Sequence, residues 1–164
     1  MFGDMEELGR RSTELRSLAS TSRQDAQRLV AKVSLLWEST AASAYARKLD
    51  DHARDFRTAA NSLVEAAAAI DAHIAAVAEV RRQIADAEQW IGARWNDATH
   101  LVRNVMESVE DTAAGVFEFF GQKVPAALVH ESKDIVHSIR SLPSAGSPEW
   151  LDLAATFRRN GWTR

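Results

Sequence analysis

An apolar row with strict seven-residue spacing runs through the middle of the chain. Its members are Ala42, Leu49, Phe56, Leu63, Ile70, Val77, Ile84 and Ile91. A heptad repeat sustained over this many turns forms a seam along one side of an α-helix, and such a seam must be covered by another helix. No proline lies between Asp4 and Glu88, so a helix can continue through this stretch without a break.

A second row with the same spacing precedes the first one. Its members are Leu8, Leu15, Ser22, Leu29 and Leu36. Ser39 and Thr40 lie between the two rows and are natural helix N-caps, and a connection this short places consecutive helices antiparallel. The sequence therefore predicts a helical hairpin over residues 1–91, with Trp37 at its tip. The heptad seam of this hairpin is assigned to Leu15, Leu29, Leu36, Phe56, Leu63, Ile70, Val77 and Ile84.

The rest of the chain predicts shorter helices, so the fold class is all-α: a long antiparallel hairpin with one or two additional C-terminal helices. Gly92 weakens the helix at its position, and a three- and four-residue spacing of apolar residues predicts a third helix over 96–120. A fourth begins near Pro125. Residues 92–141 are thus expected to pack on the hairpin or to extend it. Residues 142–164 are predicted to form a loop and a C-terminal tail, which either docks on the bundle or stays free.

The composition argues against several classes of function. Lys and Arg number 20 and Asp and Glu 23, whereas nucleic-acid binding needs a concentrated basic surface, so no nucleic-acid partner is expected. The absence of cysteine excludes a thiol nucleophile and cysteine-ligated zinc. His130, Asp134 and His137 share one side of the predicted fourth helix, but polar residues in this arrangement are typical of a solvated face. The sequence therefore predicts no enzyme, no cofactor and no metal site.

Neither the N-terminus nor the apolar stretches indicate insertion into a membrane. The first residues are acidic and lack the apolar core of a cleaved signal peptide, and no run of about 18 apolar residues exists. The most apolar stretch, residues 113–120, has acidic neighbours, whereas interfacial membrane helices carry Lys and Arg. We interpret this stretch as core and expect no membrane contact.

The residues around the hairpin tip resemble those of the WXG family of type VII secretion substrates. Trp37 and Ser39 lie where this family carries its Trp-x-Gly turn, with serine here in place of the glycine. Tyr45 matches the family's aromatic residue eight positions after the tryptophan, and Leu49 matches the apolar position four residues later. The resemblance covers residues 5–90. The family's C-terminal Tyr-x-x-x-Asp/Glu export signal has no counterpart, because the single tyrosine lies within the hairpin.

The resemblance implies an interaction protein of a type VII-like secretion system. Members of the family form homodimeric or heterodimeric four-helix bundles, so Trp37, Ser39, Tyr45 and Leu49 are the expected partner-binding and export residues. The expected partner is another helical-hairpin protein or the N-terminal helical domain of a larger secreted protein. Since the Tyr-x-x-x-Asp/Glu signal is missing, a heterodimer is expected first and a homodimer second. The protein would be secreted without a cleaved signal peptide, or cytoplasmic before export.

Two alternatives stay open at this point. The chain is either an export component or a cytoplasmic helical scaffold, a self-contained bundle in which the C-terminal helices cover the hairpin seam. Trp37 is correspondingly either a plug that fills the open end of the hairpin or one half of a composite export signal completed by a partner chain.

Overall fold

The computed structural model describes residues 4–33, 39–105, 109–111, 116–119 and 122–162. The described chain is dominated by helices, which confirms the predicted all-α class with a long hairpin-like pair at its N-terminus. A small three-stranded antiparallel sheet accompanies the helices, in the order β1-β2-β3. The elements are α1 (Met5–Val33), α2 (Thr40–Val105), β1 (Val109–Asp111), β2 (Val116–Phe119), β3 (Gln122–Pro125), α3 (Ala126–Ser138) and α4 (Glu149–Arg159).

The chain divides into two packed units, residues 1–78 and 79–164. Unit 1 contains α1 and the first part of α2. Side-chain caps define where both helices begin. The Asp4 carboxylate accepts hydrogen bonds from the backbone N–H groups of Glu6 and Glu7 at 2.9 and 3.2 Å. Ser39 Oγ accepts one from the Ala42 N–H at 3.1 Å, which satisfies a backbone donor that would otherwise lack a partner.

The two helices of unit 1 bury small residues, not large ones. In α1 these are Ser12, Ala19 and Ala26, and in α2 they are Ala53, Ala60 and Ala67, each at most 1% exposed. Both sets recur every seven residues. Ser12 Oγ lies 3.3 Å from the Ala67 carbonyl oxygen, so these two residues are level. Arg23, later in α1, contacts Asn61, earlier in α2, so the two helices are antiparallel. Seven-residue steps in opposite directions then place Ala19 level with Ala60 and Ala26 level with Ala53. We call these two rows the alanine seam.

In unit 2, α2 continues to Val105, so Gly92 does not separate two helices as predicted. A lone glycine costs a helix only about 1 kcal/mol relative to alanine. Here the cost is offset because Ile84, Ile91 and Ala98 are buried at seven-residue spacing on both sides of it. The predicted third helix over 96–120 was also wrong beyond Val105, since the next described residues form the strands.

The sheet and α3 enclose a small core. Phe117 of β2 pairs with Glu110 of β1 and Val124 of β3, and its side chain is buried together with Val129 of α3. The Lys133 ammonium group lies 5.5 Å from the centre of the Phe117 ring, a cation–π contact. Within residues 113–120, the stretch that we interpreted as core, the structure describes residues 116–119, and Phe117 is buried there.

The larger core of unit 2 is aromatic and depends on α4, in the segment predicted as loop and tail. Phe157 is fully buried, and its ring meets the Trp90 and Trp162 rings edge to face, with centroid distances of 5.5 and 5.2 Å. Trp150 is buried beside them, and its Nε1 donates to the Ser144 carbonyl at 3.0 Å. Of the two alternatives for this segment, the structure shows docking within unit 2.

None of the described helices is long and apolar enough to cross a membrane.

Candidate partner-binding face

The two sides of the unit 1 hairpin differ in polarity, and helix geometry explains why. A residue three positions after a seam residue turns to one side of the seam, and a residue four positions after it turns to the other. Arg16 and Asp71 follow Ser12 and Ala67 by four positions, and they form an ion pair between the helices. Because this pair joins the two four-position rows, the two three-position rows must share the opposite side of the hairpin.

The four-position side is polar and hydrogen-bonded. Ser12 Oγ donates to the Asp71 carboxylate at 2.6 Å and accepts from Arg16 Nη1, also at 2.6 Å. Arg16 Nη2 also donates to the Asp71 carboxylate, and this hydrogen bond, followed by the one from Ser12, holds the pKa of Asp71 below its usual value. Farther along, Arg23 Nη2 lies 3.4 Å from Asn61 Oδ1. This side of the hairpin joins α1 to α2 and fixes their register.

The three-position side is apolar. The adjoining row, one position before each seam residue, adds Leu18 and Tyr45 to this side, whereas Arg11 and Asp25 of the same row lie at its border. We call this surface the apolar face. In α1 it consists of Leu8, Leu15, Leu18, Ser22 and Leu29, and in α2 of Tyr45, Leu49, Phe56, Leu63 and Ile70.

Three large side chains of the apolar face are open to solvent. Leu18 is 55% exposed, Tyr45 59% and Phe56 40%. At roughly 25 cal/mol per Å² of apolar surface, leaving such side chains in water forgoes a substantial stabilisation, and all three lie along the same side of the hairpin, as expected of a contact surface. Val30 is also 40% exposed, but it lies on the polar side of the hairpin.

The residues predicted for the heptad seam follow this division. Leu15, Leu29, Leu63, Ile70 and Val77 are half-buried, because the alanine seam beside them brings the helices together and leaves the larger side chains at the edge of the contact. Phe56 is exposed, as noted above. Ile84 is buried, but in the aromatic core of unit 2.

The residues predicted from the resemblance have separate environments. Leu36 and Trp37 lie outside the described residues. Ser39 caps α2, Tyr45 is exposed on the apolar face, and Leu49 is 7% exposed. The structure thus brings Tyr45 and Leu49 to the same face as Leu18 and Phe56. The sequence patterns did not single out Leu18 as a surface residue or the alanine seam as the helix contact, although Ser12, Ala19 and Ala26 recur at seven-residue spacing in the sequence.

Charges at the border of the apolar face are paired along α1. Arg11 forms ion pairs with Glu7 at 2.9 Å and with Glu14 at 3.1 Å, and the charges of Glu14 and then Glu7 raise its pKa. Asp25 pairs with Arg28 at 3.0 Å. Exposed pairs of this type contribute little to stability, so these side chains can also interact with a partner.

Unit 2 offers a concave surface, which is a weaker candidate for a binding site. A groove of about 450 Å³ is lined by Gln83, Asp86, Ala87, Trp90, Leu151, Ala154 and Arg158. Its titratable residues, Asp86 and Arg158, are exposed. The groove therefore lacks the buried polar groups that give a small-molecule site its specificity.

The histidines of α3 do not add a metal centre to the described part of the chain. His130, Asp134 and His137 are all exposed, and His137 Nδ1 lies 2.8 Å from the Lys133 carbonyl oxygen. No group of three His, Cys, Asp or Glu side chains among the described residues is arranged to hold a metal ion.

Neither a protein-family model nor a curated protein nor a solved structure matches the chain.

Proposed function

We propose that this chain is a helical interaction protein of a type VII-like secretion system. It acts either as a secreted substrate or as the targeting partner of a larger substrate, and it does so by packing the unit 1 hairpin against partner helices. The observation that carries the proposal is the apolar face, with Leu18, Tyr45 and Phe56 exposed on one side of an antiparallel hairpin. Burial of such a face supplies the main driving force for association between helices in water.

The secretion context is supported by the resemblance at the hairpin tip. Trp37, Tyr45 and Leu49 match the WXG pattern in type and spacing, and two of these three residues lie on the proposed contact surface. A partner hairpin, or the helical N-terminal domain of a larger secreted protein, has the shape to complete a four-helix bundle on this face. Such a partner also supplies the Tyr-x-x-x-Asp/Glu signal that this chain lacks.

The competing proposal is a cytoplasmic scaffold without an export role. It is favoured by the aromatic core of unit 2, in which Trp150, Phe157 and Trp162 are buried by residues of unit 2 itself. A unit that buries its core with its own residues needs no partner to fold, as expected of a self-contained scaffold.

Export from the native host separates the two proposals. The chain is measured in the culture filtrate of strains with and without the ATPase of the secretion system, with a cytoplasmic marker to correct for lysis. The proposal expects the chain, or a partner that needs it, to disappear from the filtrate when the ATPase is absent. Equal amounts in both filtrates would favour the scaffold.

Trp37→Ala tests the contribution of the hairpin tip to export. If Trp37 acts in recognition, the variant melts close to the wild-type temperature while export stops. If Trp37 only plugs the hairpin, the substitution costs about 3 kcal/mol or more, as for a buried aromatic side chain. Export then falls only in proportion to the folded fraction, and that result would remove Trp37 from the export signal.

A further inference from the structure

The groove of unit 2 is formed by one side of each of two helices. Its lining residues on α2 are at positions 83, 86, 87 and 90, and those on α4 are at positions 151, 154 and 158. Residues three, four and seven positions apart lie on the same side of a helix, so each set forms a stripe along its helix. Each stripe extends over seven residues, or about 10.5 Å at 1.5 Å per residue. The groove is therefore about two helical turns long.

Small residues make this groove deep enough to accept a side chain. Ala87 and Ala154 line the groove and are nevertheless only 3% and 2% exposed, so their methyl groups form its floor. Trp90 and Leu151 are half-buried and form the apolar part of its walls. The volume of about 450 Å³ lies within the range of roughly 300–1,000 Å³ that is typical of binding pockets. The floor and the walls thus suit apolar side chains.

Two opposite charges border the groove without pairing with each other. Asp86 is exposed on the α2 side, and Arg158 is exposed on the α4 side. In the part of the chain that the structure describes, neither side chain forms an ion pair or a hydrogen bond. Both charges are therefore available to an occupant, and one that is basic on one side and acidic on the other satisfies both of them.

A helix suits this groove better than an extended peptide does. An extended peptide would place its backbone N–H and C=O groups against alanine methyl groups and apolar walls, which offer them no hydrogen-bond partners. A helix satisfies its backbone groups internally. Residues three and four positions after a central residue also turn to opposite sides of a helix. One helix can therefore present an apolar row to the floor, a basic row to Asp86 and an acidic row to Arg158.

We propose that this groove binds an amphipathic helix of another protein. The helix inserts apolar side chains over Ala87 and Ala154, and it carries Lys or Arg opposite Asp86 and Asp or Glu opposite Arg158. All residues of this site belong to unit 2, so the proposal does not rest on the function proposed for the apolar face of unit 1. Because the groove is only two helical turns long, the contact is a weak and reversible one.

A designed peptide is the probe for this site. It is an alanine-rich helix of about 18 residues, long enough to be helical in water. Leucine occupies every seventh position, lysine follows each leucine by three positions, and glutamate follows it by four. The peptide is titrated into the isotope-labelled full-length chain, and the amide NMR signals of Ala87 and Ala154 report binding in the groove. Those of Leu18 and Tyr45 report binding to the apolar face instead.

Charge reversal then tests the recognition. Asp86→Arg and Arg158→Asp each leave two like charges at the groove, so each should weaken peptide binding about three- to tenfold. The double variant again has opposite charges and should regain the wild-type affinity, because the peptide can bind in the reverse direction. Asp97→Arg and Arg159→Asp make the same changes at exposed positions of the same helices outside the groove, and they should leave the affinity unchanged.

A second peptide, with glutamate in both charged rows, should have the opposite preference. It should bind Asp86→Arg more tightly than the wild type, because both sides of the groove are then basic. Circular dichroism confirms that all variants remain equally helical.

Several results would overturn the proposal. They are the absence of shifts at the groove amides at millimolar peptide, shifts confined to Leu18 and Tyr45, and affinities that do not respond to the reversals. Shifts at Ala87 and Ala154 that grow with protein concentration in the absence of peptide would assign the groove to a second copy of the chain, and they would overturn the proposal as well.

Discussion

The alanine seam makes a sharp prediction about what unit 1 tolerates. Ala60 of α2 is fully buried, and it is level with Ala19 of α1, which is 1% exposed. Leucine at position 60 has to place additional carbon atoms where two helices meet through methyl groups. Overpacking of this kind costs about 1–3 kcal/mol, because the helices must separate or the new side chain must adopt a strained rotamer.

Amide hydrogen exchange measures this cost locally. Because 1.4 kcal/mol corresponds to a factor of ten, Ala60→Leu should reduce the protection of amides in residues 12–26 and 53–67 by about 5- to 150-fold. Ala68→Leu is the matched control, since Ala68 is exposed on α2 and leucine is as good a helix former there. Equal protection in the two variants would refute the small-residue seam and favour a hairpin held by its leucines.

Three further predictions concern single side chains. Asp71 has a lowered pKa when folded, so its contribution to stability is present above the ordinary carboxyl value of about 3.9 and is lost as the pH falls below it. Asp71→Asn should flatten this part of the curve of unfolding midpoint against pH, and Asp55→Asn, at an exposed position, should not. Phe157→Ala should destabilise unit 2 by about 3–5 kcal/mol in denaturant unfolding followed by tryptophan fluorescence, because a fully buried aromatic ring is lost. Glu131→Gln should lower the free energy of unfolding by about 1–3 kcal/mol in the same assay, because the half-buried Arg94 guanidinium, 2.6 Å from Glu131, loses its charged partner. An unchanged unfolding midpoint would contradict this prediction.

The hairpin was predictable because its signals are local and repeated. The seven-residue rows and the Ser39 cap specify helices without reference to the rest of the chain. Which row becomes the contact is a different question, since it depends on how closely two backbones approach. Ser12, Ala19 and Ala26 permit a closer approach than Leu15 and Leu29, and only the packed structure shows that the small row is the buried one.

The region after residue 92 was harder to predict because its pattern is ambiguous. The three- and four-residue spacing of apolar residues continues past Val105, although β2 begins at Val116. Val116 and Phe117 are β-branched and aromatic residues with high strand propensity, and the pairing of Phe117 with Val124 decides the outcome through contacts along the sheet. The docking of α4 likewise depends on rings far apart in sequence, Trp90 and Phe157.

Hydroxyl-radical footprinting tests the role of the apolar face most directly. Oxidation of Leu18, Tyr45 and Phe56 should be lower when the full-length chain is labelled inside its native host, where its partner helices are present, than when the purified chain is labelled at sub-micromolar concentration, because the partner covers these side chains. Val30, which is as exposed as Phe56 but lies on the polar side, provides the internal control and should react equally in both samples. Equal oxidation of all four side chains in the two samples would contradict the account.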